Sequence, residues 1–251
     1  MGTGSYKKIN MKKEILISIF FLLSLAVINC QSKDSLIKDL NKIGWNPVGC
    51  FLKGSDKWHH YNRSDQAWKV ELVQDCLRTS SFSENNVVFY LLSDGYVKGI
   101  DNGEWGGRLV FFPTDVRENE YIIINDNIIA IFSINNNIYV LGGTSHQGVS
   151  MGHIYKLYKK NGKWNSYEVL DLKDKPYAYV INNYELYIVT YSKLMRIVNE
   201  RIKDIIVENA FWQSLYPNSI VVFKNNAIIG MRGGITTVNL ENKEIISFEK
   251  Q

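Results

Sequence analysis

Four polar clusters in this chain carry side chains able to hold a ligand, and each follows an apolar run. They are Ser93–Asp94–Gly95–Tyr96, the stretch from Gly142 to His153, Thr190–Tyr191–Ser192, and Met231–Arg232–Gly233–Gly234. The longest reads GGTSHQGVSMGH. Its glycines free the backbone, while Thr144, Ser145 and His146 offer hydroxyls and an imidazole. Asp94, Tyr96, Tyr191 and Arg232 complete the candidate binding set, and Arg232 is the best single cation for an anionic partner. The competing reading is a row of ordinary hairpin tips.

The chain contains no GxSxG, HExxH or CxxC and no phosphate-cradling glycine loop with its Lys. Its histidines do not suit zinc. His59 and His60 are adjacent and on a strand would face opposite ways, and His146 and His153 lack a third ligand. Ile100 to Gly107, IDNGEWGG, sets acids around a glycine without the alternating acids of a calcium loop. It reads as a turn between a third and a fourth strand. No catalytic residue is assigned.

The elements that must position these clusters repeat. Adjacent Asn pairs occur at 85–86, 136–137, 182–183 and 225–226, spaced 51, 46 and 43 residues apart. Each pair opens a strand–turn–strand pattern, and Asn suits hairpin turns because it tolerates a left-handed backbone. Before three of the pairs lies a further apolar run: NIIAIFSI, YAYVI and SIVVF. Four strands recurring every 40–50 residues mark a β-propeller blade. The expectation is an all-β fold, a propeller of about five four-stranded blades over residues 45–251. Its degenerate first copy lies within Trp45 to Ser80, with GCFLKG, KWHHYN and WKVELV as strands. The competitor is a β-sandwich, which would show no four-strand period. In such a ring the loop leading into each inner strand and the loop between the second and third strands share one face. The four polar clusters are all placed on that face.

The front of the chain is different. Lys12 and Lys13 precede Ile15 to Ile28, an apolar run of fourteen residues that ends at Cys30. That length fits a signal h-region and is short for a membrane span. The segment LAVINC resembles the lipobox of bacterial lipoproteins, which implies lipidation of Cys30. Residues 1–29 then read as a signal peptide, with a mis-assigned start over 1–10, and residues 30–44 as a tether and short helix. Leu36, Ile37, Leu40 and Ile43 share one helical face, and Gly44 ends it. The net charge is +4, and residues 1–29 hold four Lys against one Glu, so processing leaves about +1. That balance gives no reason to expect nucleic acid. Cys50 and Cys76 remain, either as a disulfide worth about 3 kcal/mol or as two buried thiols.

One further resemblance is local. YPNSI, Tyr216 to Ile220, is similar to the Pro-Asn-Gly stretch of gluconolactonase- and paraoxonase-type propellers, with Ser219 in place of the Gly. That resemblance implies a central divalent metal on Asn218, with Asp126 and Asp174 as the acidic partners and calcium as the ion.

Two functions follow from these readings. The first is an exported monomer in the cell envelope, held to the membrane by lipid on Cys30. It would bind an envelope protein, a peptide or a glycan and need no cofactor. The alternative is a calcium-dependent, lactonase-like hydrolase.

Overall fold

The computed structural model describes residues 35–251. The expected signal segment 1–29, Cys30 and the rest of the expected tether up to residue 34 lie outside the described residues. The chain divides into two compact units. One holds the residues up to Pro47 together with Lys250 and Gln251, and the other runs from Val48 to Glu249.

In the smaller unit residues 35–42 form a helix, α1, whose Leu36 and Leu40 are buried. Gly44 stops the helix at φ +84°, a left-handed conformation that costs other residues a Cβ clash. The Gly44 carbonyl accepts the Gln251 backbone N–H at 3.1 Å. The Lys250 ammonium lies 5.2 Å from the centre of the Trp45 ring. Trp45 opens strand β1 (Trp45–Gly49).

The larger unit is a β-propeller. Three of its sheets are four-stranded and antiparallel: β4 (Val87–Leu92) to β7 (Tyr121–Ile124), β8 (Ile128–Ile134) to β11 (Lys163–Asp171), and β12 (Pro176–Asn182) to β15 (Arg201–Val207); a fourth contains β16 (Ser219–Phe223) to β19 (Ile245–Lys250) in the same antiparallel order. Within each, strands pair in chain order. A fifth sheet is only a hairpin, β2 (Trp68–Val73) with β3 (Cys76–Ser81). First strands touch from sheet to sheet, β2 on β16, β16 on β12, β12 on β8 and β8 on β4. They are therefore the inner strands around an axis.

Local chemistry explains the hairpins. Asn135–Asn136, Asn183–Tyr184 and Lys224–Asn225 each have two successive positive φ angles. That is the turn type whose twist matches paired strands, and Asn tolerates it best. These turns join first to second strands in three sheets. Asn85–Asn86 plays a different part, because it leads into the inner strand β4. The pattern opening at Asn85 therefore runs one strand out of step with the other three.

The core forms between sheets. Ile131, Val140 and Leu157 pack with Val97, Leu109 and Phe111 across β8–β11 and β4–β7. Ala130, Leu141 and Ile154 pack with Ile188, Met195 and Ile197 across β8–β11 and β12–β15. The largest cluster joins β12–β15, β16–β19 and the first repeat through Tyr187, Trp212, Ile229, Trp58 and Tyr61. There the hairpin closes tightly on the last sheet: a Cβ at Gly230 would run into the Trp68 carbonyl. The Val70 N–H donates to Ser219 Oγ at 2.9 Å, and the Gly233 N–H to the Gln66 carbonyl at 2.8 Å.

The first repeat departs most from expectation. KWHHYN is not a strand but most of helix α2 (Asp56–Asn62), capped by Ser55 Oγ, which accepts the Trp58 N–H. An oxygen cap and an acid in the first turn favour helix there. Trp58 and Tyr61, three apart on one helical face, then bury together. GCFLKG contributes no strand beyond Gly49, the last residue of β1. With those residues spent on α2 and its loops, only β2 and β3 remain for a blade. The expected Cys50–Cys76 bond is absent, and both are free, exposed thiols. Cys76 pairs with Val73 at the closed end of the β2–β3 hairpin, while Cys50 lies in the loop before α2.

Candidate functional site

Antiparallel connectivity sorts the loops into two faces. The segments leading into inner strands and the turns between second and third strands share the inlet face. The turns between first and second strands, and between third and fourth, share the opposite one. Thr144, Ser145 and His146 (β9, Asn137–His146), Tyr191 and Arg232 all belong to the inlet face. Asp94 and Tyr96 do not. They belong to the turn between β4 and β5 (Gly95–Asp101) and to the start of β5, because Asn85–Asn86 precedes the inner strand instead of following it. Asp94 accepts hydrogen bonds from Lys159 Nζ at 2.8 Å and Trp164 Nε1 at 2.9 Å. Burial raises its pKa, but these bonds outweigh that and hold the carboxyl below its ordinary range. Tyr96 stacks on Phe112, with centroids 4.9 Å apart.

The counterpart of the Arg232 turn in sheet β4–β7 is IDNGEWGG, which joins a second strand to a third. Asn127 fastens it. The Asn127 amide donates to the Gly103 carbonyl at 2.6 Å and accepts the Asn102 N–H at 3.1 Å. Glu104 on this turn lies 3.0 Å from His146 Nδ1.

The inner strands open at the inlet face into an axial cavity of about 510 Å³. All five sheets or the segments leading into them line it: Ala67, Phe82, Glu84 to Asn86, Asp101, Ile128 and Ile129, Lys175 and Tyr177, Tyr216 to Asn218, and Arg232. Of the binding residues expected from sequence, Arg232 alone reaches it. Thr144, Ser145, His146 and Tyr191 stand outside its lining.

Two aromatic–cation pairs dominate the wall. The Arg232 guanidinium lies 4.6 Å from the Tyr216 ring centre, and the Lys175 ammonium 5.5 Å from that of Tyr177. Such contacts hold a cation in place while leaving N–H groups free to donate. The two rings meet edge to face, centroids 6.2 Å apart at 88°. Burial raises the Tyr177 phenol above its ordinary pKa, helped by Tyr216, Tyr191 and two carboxylates, so the hydroxyl stays protonated. Asp101 balances Lys175 at 3.5 Å. Arg232 donates through Nη1 to the Asn62 carbonyl at 3.3 Å.

Asn218 has a fixed orientation. Ser219 Oγ accepts the Val70 N–H and donates to Asn218 Oδ1 at 2.9 Å. Asn218 Nδ2 is then a buried donor with no acceptor. A buried donor without a partner costs about 1–3 kcal/mol, a cost that an acceptor reaching it would offset.

The two acids proposed as metal partners are occupied. Asp174 accepts from Ser150 Oγ, Thr190 Oγ1, and the N–H and Oγ of Ser192, at 2.6 to 2.8 Å. Asp126 accepts from the Tyr155 hydroxyl at 3.0 Å and the Asn127 N–H at 2.8 Å. Burial raises its pKa. Neither lines the axial cavity. Among the described residues no three His, Cys, Asp or Glu side chains come together to hold a metal ion.

Sequence reasoning missed Lys175, Tyr177, Tyr216 and Asp101. The signal was available: each inner strand is preceded by a short polar or aromatic segment, and those segments must converge on the axis.

No family model and no curated protein matches the chain. Solved structures do. The AfRom2 CNH domain is 12% identical over 70% of this chain and 58% of that one, with a TM-score of 0.44. The extracellular domain of a hybrid two component system from B. thetaiotaomicron is 13% identical over 83% of this chain and 29% of that one, TM-score 0.44. The N-terminal domain of Nup159 is 7% identical over 83% and 67%, TM-score 0.40. The chain spans less than two-thirds of the first two. The propeller assignment itself rests on strand order and inner-strand contacts.

Proposed function

We propose that this protein is an exported, lipid-anchored binding module of the cell envelope, and that its partner docks in the axial cavity. The observation that carries the reading is the cavity wall. Sheets β12–β15 and β16–β19 bring two stacked cations, two tyrosines and the unpaired Asn218 donor to an opening that all five sheets or their leading segments line. Convergent polar groups in a partly apolar pocket are the usual make-up of a ligand site. The short apolar run ending at Cys30 supports the anchor. A mature charge near +1 argues for a peptide, protein or glycan partner over nucleic acid.

The full-length chain in detergent, applied to peptide and glycan arrays, tests the binding reading. A discrete set of ligands should be retained, and Tyr216→Ala with Arg232→Glu should release them. Retention unchanged by both substitutions would place binding elsewhere. Calcium-dependent opening of a lactone would favour the hydrolase. Cys30→Ser should move the protein from the membrane to the soluble fraction, and a variant that stays membrane-bound and unprocessed would argue for an anchor helix instead.

A further inference from the structure

We infer that the axial cavity is built to take a peptide carboxylate lying beside an apolar side chain, an inference that rests on reading this cavity as the binding site. The argument begins with donors. Asn218 and Arg232 come from the segment leading into β16 and from the turn between β17 (Asn226–Met231) and β18 (Gly234–Asn239). Two backbone bonds tie these segments together: Asn218 N–H to the Gly230 carbonyl at 2.9 Å, and Arg232 N–H to the Leu215 carbonyl at 2.8 Å. Their side chains therefore open on the same part of the wall.

Both present only donors to the cavity. The Asn218 amide cannot turn its oxygen inward, because Ser219 Oγ holds Oδ1. Arg232 carries no acceptor atom; its Nη1 donates to the Asn62 carbonyl, and its guanidinium lies 4.6 Å from the Tyr216 ring centre. An amide donor and a guanidinium on one wall of a cavity match a carboxylate. The nearby acids do not fill that role. Asp101 faces Lys175, and Glu84 is exposed at the rim.

The wall also carries the polar Glu84, Asn85, Asn86 and Tyr177, and it is its apolar patch that favours a peptide over an acidic sugar. Ala67, Phe82, Ile128, Ile129 and Pro217 supply no side-chain hydrogen-bond partner. Sugar hydroxyls placed there would lose their water without replacement. An aliphatic or aromatic side chain next to the carboxylate would bury favourably.

The test uses the full-length chain in detergent and synthetic hexapeptide pools. One pool has a free C-terminal carboxylate and no Asp or Glu. A second is the same but amidated, and a third is amidated with Asp and Glu included. An oligogalacturonate serves as the sugar acid. Either carboxylate-bearing pool should bind on the order of tenfold or more tightly than the amidated acid-free pool. The first and third pools tell a terminal from a side-chain carboxylate. Asn218→Asp keeps the Ser219 bond and replaces the donor with an acceptor, so it should abolish the preference with unchanged melting. Arg232→Gln should do the same. Equal binding of all three pools would overturn the carboxylate inference and leave the cavity reading standing. Binding of none would overturn the peptide occupant, and if neither array ligand is released by the cavity variants the cavity reading falls as well. Preference for the oligogalacturonate, lost in Asn218→Asp, would replace the peptide with an acidic glycan.

Discussion

The sheets β4–β7 and β16–β19 are similarly rich in apolar residues but differ in what covers them. Every residue of β17 is buried, and all but the last of β18. In β4, Phe89 is 62% exposed and Leu91 83%. One face of β4–β7 packs on β8–β11 through Val97, Leu109 and Phe111. Phe89, Leu91, Tyr96 and Ile122 belong to its other face and are exposed. The last sheet is covered on both sides, by β12–β15 and by the first repeat with α2. A blade's burial is thus a property of its neighbours. The first repeat spends its residues on α2 and a two-stranded hairpin that closes on β16–β18.

The largest expected effect would break this comparison outright. Ile229→Ala, at a position with no exposure, should cost about 2–5 kcal/mol in denaturant unfolding. Leu91→Ala on the exposed face should stay within about 0.5 kcal/mol. Similar losses would mean that something covers Leu91. Asp174→Ala comes next, because it strips the acceptor from four donors and unfastens β10 (Val149–Lys160) from the turn that holds Thr190 and Ser192. A cost of about 2–3 kcal/mol is expected, and a neutral change would show those hydroxyls rehydrating freely.

A smaller effect concerns the fastening of the first repeat. The Tyr61 hydroxyl donates to the Phe248 carbonyl at 3.0 Å in a buried site. Tyr61→Phe should lower stability by about 1 kcal/mol, read from the shift in denaturation midpoint. The smallest effect is a pH dependence on the face opposite the inlet. Glu200 accepts from Lys156 at 2.8 Å and from Tyr139 at 2.7 Å, which hold its pKa below the ordinary value. A carboxylate lowered in the fold stabilises above its unfolded pKa, and that stabilisation fades as pH falls through the lowered value. Glu200→Gln should flatten the acid limb of melting temperature against pH slightly. An unchanged limb would show that the bonds contribute nothing in solution.

The same contrast explains what was legible in the sequence. The four-strand period could be read because three Asn-containing turns impose a local backbone that few residues tolerate, and an apolar run precedes each. Asn85–Asn86 lacks that preceding run, and RTSSFSE stands there instead. Reading the pair as a turn misplaced Asp94 and Tyr96 on the wrong face and hid IDNGEWGG on the right one. KWHHYN looked like a strand because its aromatics suit one, but Ser55 and the spacing of Trp58 and Tyr61 favour a helix. The cavity residues Lys175, Tyr177 and Tyr216 were opaque for another reason. They are ordinary residues singly, and only convergence on the axis makes them a wall. The YPNSI resemblance marks Asn218 as a metal ligand; the residue lines the cavity, but its amide offers a donor where a metal would need an oxygen.

Photo-crosslinking in the native cell tests the central claim, that the axial cavity is where a partner binds. A benzoylphenylalanine would replace, one at a time, Tyr216 in the axial cavity, Leu91 on the bare sheet face, and Tyr184. The last lines a separate cavity of about 280 Å³ on the face opposite the inlet. The account predicts a discrete adduct from position 216 that Asn218→Asp abolishes, and none of comparable yield from 91 or 184. An adduct from position 91 or 184 with none from 216 would contradict it.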